Sequence, residues 1–146
     1  MSAVTGFARS NRPVIGICNG FQVLCEAGLL TGAHIVNRDL AFICRPIEVE
    51  VTDTASVLTA GLSLGDVLSL PLNSYEGNYV DPTEAGRIVL AYRDNPNGSQ
   101  NAAAAIANDS GNVVGVMPHP ERASADWLGS LDGNRLLSSF LAAAAA

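Results

Sequence analysis

The chain has 146 residues, of which 48% are apolar and 15% charged; that length and balance suit one folded domain with a sizeable core and exclude a disordered or solvating segment. All eight basic residues are arginine and 14 are acidic, for a net charge of -6, so the cationic footprint that holds nucleic-acid phosphates or an anionic membrane is missing. No apolar run approaches the roughly 20 residues of a membrane span, and Met1 to Val4 lacks the charged and hydrophobic regions of a signal peptide, which gives a cytoplasmic address by default.

Along the chain, Val4 to Ala8 reads as a short helix ending near Ser10 and Asn11. Arg12 to Cys18 then reads as a buried strand led by a proline. A tight turn at Cys18-Asn19-Gly20 opens Phe21 to Ala27, where apolar residues recur at helical spacing, and Gly28 to Gly32 stops that helix. Phe42 to Val51 alternates apolar and polar residues from Ile47 onward, the pattern of a strand with one wet face. Asp53 to Gly65 is rich in turn formers with room for a short helix. Val67 to Leu72 and Arg87 to Arg93 are further strands, and Asn95-Pro96-Asn97-Gly98-Ser99 is a strong loop signal.

Propensity alone would make Ala102 to Ala107 helical. Its place between two turns, with Val113 to Met117 returning as a hairpin partner, favours a buried strand. The last helix is expected from Asp132 to about Leu141, and Ala142 to Ala146 is low-complexity sequence that carries no signal. Strands interleaved with helices and closed by a hairpin imply an α/β fold, a mostly parallel sheet flanked by helices with antiparallel additions. Such folds place active sites at the carboxyl ends of strands, where Cys18 and His119 both fall.

Three cysteines, Cys18, Cys25 and Cys44, make an odd count without C-x-x-C spacing, which argues against a disulfide framework and a zinc site. Gly16-Ile17-Cys18-Asn19-Gly20 is a G-x-C-x-G run between strand and helix, the thiol counterpart of a nucleophile elbow. That turn strains the cysteine backbone, and glycines two residues to either side relieve collisions. A helix N-terminus favours thiolate and lowers the thiol pKa, while the Asn19 N–H points at a developing oxyanion. The bland alternative is a buried structural cysteine in a glycine-rich turn.

A cysteine nucleophile needs a histidine to take its proton and a carboxylate to hold the ring. His34 follows Gly32-Ala33 in a loop and reads as a solvated or capping residue. His119 lies in Pro118-His119-Pro120-Glu121-Arg122 directly after a buried strand, with prolines fixing the backbone on both sides. In an extended segment residues two apart share a side, which brings Glu121 to the ring. A rigid surface turn with a Glu121-Arg122 ion pair is the alternative there.

Gly16 to Gln22, Phe42-Ile43-Cys44-Arg45-Pro46, Glu76-Gly77-Asn78-Tyr79, Asn95 to Ser99, Gly111 to Ala123 and Leu128 to Gly133 together resemble, in order, the class I glutamine amidotransferase subunit of phosphoribosylformylglycinamidine synthase. The resemblance implies a flavodoxin-like amidotransferase domain spanning residues 1–146. It implies Cys18 as nucleophile, His119 as proton shuttle, Glu121 as its orienting group, and Gln22, Asn19 and Gly20 as substrate contacts. L-Glutamine would be hydrolysed through a thioester, and ammonia would pass to a large ATP-dependent synthetase, with a small third subunit left open. ATP and Mg²⁺ belong to that partner; no cofactor and no metal are expected in this chain, which has no P-loop.

Against the family pattern, the chain begins at the helix before the nucleophile strand, so the strands expected earlier, and with them a second oxyanion donor, are counted as missing. Asn73-Ser74-Tyr75-Glu76 also stands where the family carries His-Gly before Glu-Gly. A non-catalytic docking subunit, and a cysteine hydrolase acting on another amide, therefore remain as competing readings.

Overall fold

The computed structural model describes residues 1–146. Helix α1, Ser2–Arg9, leads into strand β1, Val14–Ile17, and helix α2, Asn19–Glu26, follows after a single residue. Then come β2, Ala33–Ile35; β3, Ile43–Val51; β4, Val67–Ser74; β5, Asn78–Val80; and β6, Arg87–Tyr92. The chain closes with β7, Ala103–Ala107; β8, Val113–Val116; and α3, Asp132–Ala145. No helix is long and apolar enough to cross a membrane.

Six strands form one mixed sheet in the order β1-β8-β7-β6-β3-β4, and β2 pairs with β5 in a separate ribbon. Parallel pairing is confined to β1 and β8, whose registers run Val14–Val113 through Ile17–Val116; the remaining neighbours are antiparallel. β3 shows the alternation anticipated from its sequence, with Ile47, Val49 and Val51 buried and Glu48 and Glu50 exposed. β7 and β8 are buried at every position, as expected for central strands covered on both faces.

The alanine run is a strand despite its helical propensity. Short methyl side chains on β7 pack under neighbouring layers at Ala103, Ala104 and Ala105, all at most 1% exposed, and tertiary burial outweighs intrinsic preference. The terminal alanines behave in the opposite way. α3 continues to Ala145, because once nucleated the helix is extended at little cost by the residue with the highest helical propensity. Asp53 to Gly65 contains turns only. Its Ser56 hydroxyl accepts from the Thr59 N–H and its carbonyl from the Ala60 N–H, a capped single turn that does not continue into a helix.

The sheet is curled. β1 and β4 are its two edges in hydrogen-bond order, yet the Cys18 thiol donates to the Asn73 carbonyl at 3.7 Å and the His119 N–H donates to the Pro71 carbonyl at 2.8 Å. This curl brings the carboxyl ends of β1, β8 and β4 together.

Candidate active site

Cys18 is the residue between β1 and α2, with φ 52° and ψ -107°. That combination is sparsely populated for any residue with a Cβ and costs on the order of 1–3 kcal/mol. Three bonds fix it: the Cys18 N–H donates to the Val116 carbonyl at 2.8 Å, and the Cys18 carbonyl accepts from the Phe21 N–H at 3.0 Å and from the Gln22 N–H at 3.3 Å. Gly16 is required by contact, because a Cβ there would lie 2.5 Å from the Gly20 carbonyl oxygen and from Leu24 Cδ1. Gly20 is not: a Cβ at that position meets nothing within 4 Å, so the expectation that both flanking glycines relieve collisions holds only for Gly16.

The thiol is not activated in the way the helix terminus suggested. Burial pushes its pKa above the ordinary thiol value, a hydrogen bond with the Asn19 backbone and the Arg122 guanidinium pull it down, and Glu121 pushes it up. Desolvation wins. Cys18 is therefore a thiol at neutral pH, consistent with its donating to Asn73, and its reaction with a small alkylating agent is expected to accelerate beyond pH 9 without levelling near neutrality. A plateau near pH 7 in a rate profile followed at the Cys18 peptide would contradict this ordering of causes.

His119 enters from the end of β8 through Met117 and Pro118. Its side chain is almost fully enclosed, at 8% exposure, and its backbone is tied to β4. Nδ1 meets Glu121 Oε1 at 2.6 Å. The segment is not extended as the sequence reading assumed: His119 caps a 3-10 turn at Pro120–Ala123, and the tight winding, with Pro120 at its first position, folds Glu121 back onto the ring. A carboxylate can only accept, so it holds the proton on Nδ1 and leaves the Nε2 lone pair free. Nε2 is buried and bonded to no protein group.

Glu121 also lies 3.7 Å from Arg122 Nε, so the ion pair weighed as an alternative coexists with the histidine contact. Behind the loop, Asp132 at the start of α3 accepts from the Ser69 N–H of β4 at 2.8 Å. Gly133 allows that helix to approach the Pro120 carbonyl, which a Cβ would overlap.

Gln22 is one turn along α2 from Cys18. Its Nε2 donates to the Glu76 carbonyl at 2.7 Å, linking the nucleophile helix to the segment between β4 and β5. Gln22 and Glu76 also border a cleft of about 170 Å³ closed by Cys25, Glu26 and His34, which Cys18 does not line. The structure thus brings Cys18, Asn19, Gly20, Gln22, His119 and Glu121 to one end of the sheet. Sequence reasoning missed Asn73, Asn37 and Tyr92 there. Tyr92 of β6 is buried with its hydroxyl unpaired, and burial holds its phenol protonated.

His34 contradicts its sequence reading. It is no loop residue: it pairs with Tyr79 across the β2–β5 ribbon, its ring meets Phe21 edge-on at 4.3 Å, and both ring nitrogens are buried without partners. Two strands of three residues each are too short for their alternation to be read in the sequence, and the aromatic neighbours come from α2 and β5 rather than from nearby in the chain.

Residues 72–135 match the model of the CobB/CobQ-like glutamine amidotransferase domain. The chain is 50% identical over 151 residues to phosphoribosylformylglycinamidine synthase subunit PurQ of Rubrobacter xylanophilus, with 99% of this chain and 69% of that protein covered. PurQ of Koribacter versatilis is 46% identical, with 99% and 70% covered, and PurQ of Lacticaseibacillus paracasei is 44% identical, with 97% and 65% covered. Among solved structures, PurLQS of Thermotoga maritima superposes with a TM-score of 0.91 at 36% identity over 95% of this chain and 65% of that one. A GMP synthase subunit from Thermoplasma acidophilum, at TM-score 0.68 and 14% identity over 99% of this chain and 63% of that one, shares the fold.

Proposed function

The chain belongs to the PurQ family of glutamine amidotransferase subunits, and we propose from that premise that residues 1–146 form the glutaminase domain of a phosphoribosylformylglycinamidine synthase complex in the cytoplasm. Cys18, losing its proton to His119 Nε2, attacks the side-chain carboxamide carbon of L-glutamine; the Asn19 N–H stabilises the oxyanion. Protonated His119 gives its proton to the leaving nitrogen, ammonia departs, and a glutamyl thioester remains on Cys18. Water, deprotonated by the same imidazole, then cleaves the thioester to glutamate. Glu121 holds the ring throughout and offsets the imidazolium charge. Asn19, Gly20 and Gln22 are the proposed substrate contacts.

The observation that carries this reading is the His119 ring itself, enclosed, anchored to Glu121 through Nδ1 and free at Nε2, three residues beyond the end of β8, the strand that pairs with β1 leading into Cys18. Ammonia goes to a large synthetase subunit that consumes ATP with Mg²⁺ and makes formylglycinamidine ribonucleotide; a small third subunit completes the assembly. The multi-subunit setting draws support from the likeness to PurLQS.

Mixed with the synthetase subunit of a relative, ATP and formylglycinamide ribonucleotide, the chain is expected to make product formation depend on glutamine. Ammonium salts should remove that dependence. If glutamine supports no more product than buffer while ammonium does, the reading fails. A docking subunit without turnover is the second reading, favoured by the protonated Cys18 thiol bonded to Asn73; it predicts that same negative outcome together with tight binding to the synthetase.

A further inference from the structure

We propose that Asn37, acting with Asn97 and Ser99, is a positioning residue for glutamine hydrolysis, because it fixes the backbone of Asn73–Gly77, the segment that touches both Cys18 and Gln22. This deepens the glutaminase reading and rests on it.

Every carbonyl in the segment is held from outside it. The Asn73 oxygen accepts from the Cys18 thiol at 3.7 Å and the Glu76 oxygen from Gln22 Nε2 at 2.7 Å. Between them, the Ser74 oxygen accepts from Asn37 Nδ2 at 2.8 Å and the Tyr75 oxygen from the Asn37 N–H at 2.8 Å. The Gly77 oxygen accepts from the Ser99 hydroxyl at 3.2 Å, while the Gly77 N–H donates to Asn37 Oδ1 at 3.0 Å. Functional contacts therefore alternate along the strand end and turn with contacts to Asn37.

Asn37 uses its amide fully. Nδ2 also donates to the Ala41 carbonyl at 2.9 Å, and Oδ1 also accepts from Asn97 Nδ2 at 2.7 Å, which is two bonds given and two received. Asn37, Asn97 and Ser99 are 1%, 0% and 2% exposed, so water cannot replace a lost partner and each broken bond leaves a buried group unsatisfied. Gly77 is part of the same design, since a Cβ there would strike Asn97 Nδ2 and Ser74 Oγ. Tyr75, Glu76 and Gly77 lie outside regular structure. Outside bonds rather than a strand ladder thus set where these carbonyls stand relative to α2.

The Asn95-Pro96-Asn97-Gly98-Ser99 turn, which the chemistry of the triad does not use, gains a role on this account. It supplies the second asparagine and the serine, and it is tied to the Asn37 stretch by the Arg38 N–H, which donates to the Asn97 carbonyl at 2.9 Å.

The test is labelling of Cys18 in the whole chain by the chloroketone analogue of L-glutamine, in which the thiolate displaces chloride to form a thioether. Adducts are assigned by peptide mass and checked for protection by glutamine. Asn37→Asp keeps the acceptor but turns the donor to Ser74 and Ala41 into a second acceptor; Ser99→Ala removes the hold on the Gly77 carbonyl together with the bond that the hydroxyl accepts from the Tyr79 N–H at 3.1 Å. Displacing a reacting group by about 1 Å costs about 100-fold, so Asn37→Asp is expected to lose about that in labelling efficiency and Ser99→Ala about 10-fold. Much of the loss should show as a raised half-saturating concentration, since Gln22 is misplaced along with Cys18.

Ser139→Ala is the control. Its hydroxyl also bridges two backbone groups, Gly61 N–H and Val57 O, but away from the segment, and it should cost stability with labelling efficiency kept within about 2-fold. If Asn37→Asp unfolds, Ser99→Ala carries the comparison alone. Labelling of Ser99→Ala at the unmodified rate, or an equal loss in Ser139→Ala at matched melting temperature, would overturn the inference while leaving the glutaminase reading intact. An unmodified chain whose Cys18 ignores the analogue would overturn both.

Discussion

Glutamate release from L-glutamine is expected to disappear in Cys18→Ala and to fall by about 10² to 10⁴ in Glu121→Gln, each assayed with the synthetase partner. The first substitution removes the only sulfur at the turn: Cys25 is about two turns further along α2, bonded to the Thr31 carbonyl, with its pKa pushed up to about 12 by burial and by nearby Asp81 and Glu26. It cannot stand in as nucleophile. The second substitution preserves size and can still accept from His119 Nδ1, but it has no charge with which to offset the imidazolium. Glu121 is nearly half exposed, so its loss should barely change the melting temperature. An active Glu121→Gln variant would reduce the 2.6 Å contact to a structural one.

A second large effect concerns stability in acid. Burial lowers the His34 pKa from 6.5 to about 4. The unfolded chain takes up a proton as the pH falls through 6.5, whereas the folded chain resists until about 4. Stability is therefore complete above 6.5 and is lost as the pH falls across that interval. The difference corresponds to about 3 kcal/mol, a large share of the total for a domain of this size. Asp81 does not account for it. Although burial opposes its charge, bonds from Thr83, Thr31 and Gly86 hold its pKa down to about 2, so its contribution is lost only below that interval.

His34→Leu should flatten stability between pH 6.5 and 4, measured from urea midpoints, and should leave neutral stability equal or higher, because two unpartnered buried nitrogens are removed along with the proton site. An unchanged acid slope in that variant would refute the assignment to His34.

What the sequence revealed and what it hid divide along contact range. The nucleophile turn was legible because strand, turn and helix are consecutive, and a G-x-C-x-G run constrains only its own backbone. The Glu121 contact was legible too, although through a 3-10 turn rather than an extended segment; a spacing of two serves either geometry when prolines fix the chain. The Cys18 pKa was misjudged because the helix terminus is a local feature, while the desolvation that outweighs it comes from burial in the assembled fold. His34 failed for the same reason. Its burial depends on Phe21 and Tyr79, which no periodicity in residues 33–35 announces.

The most direct measurement of the central claim, that Cys18 and His119 act on one carboxamide, is the mass of the Cys18 peptide after acid quenching of the complex during glutamine turnover. A glutamyl thioester on Cys18 is predicted, absent when His119 is replaced by alanine. Steady turnover with Cys18 free at every quench time, or glutamyl on another residue, would contradict it.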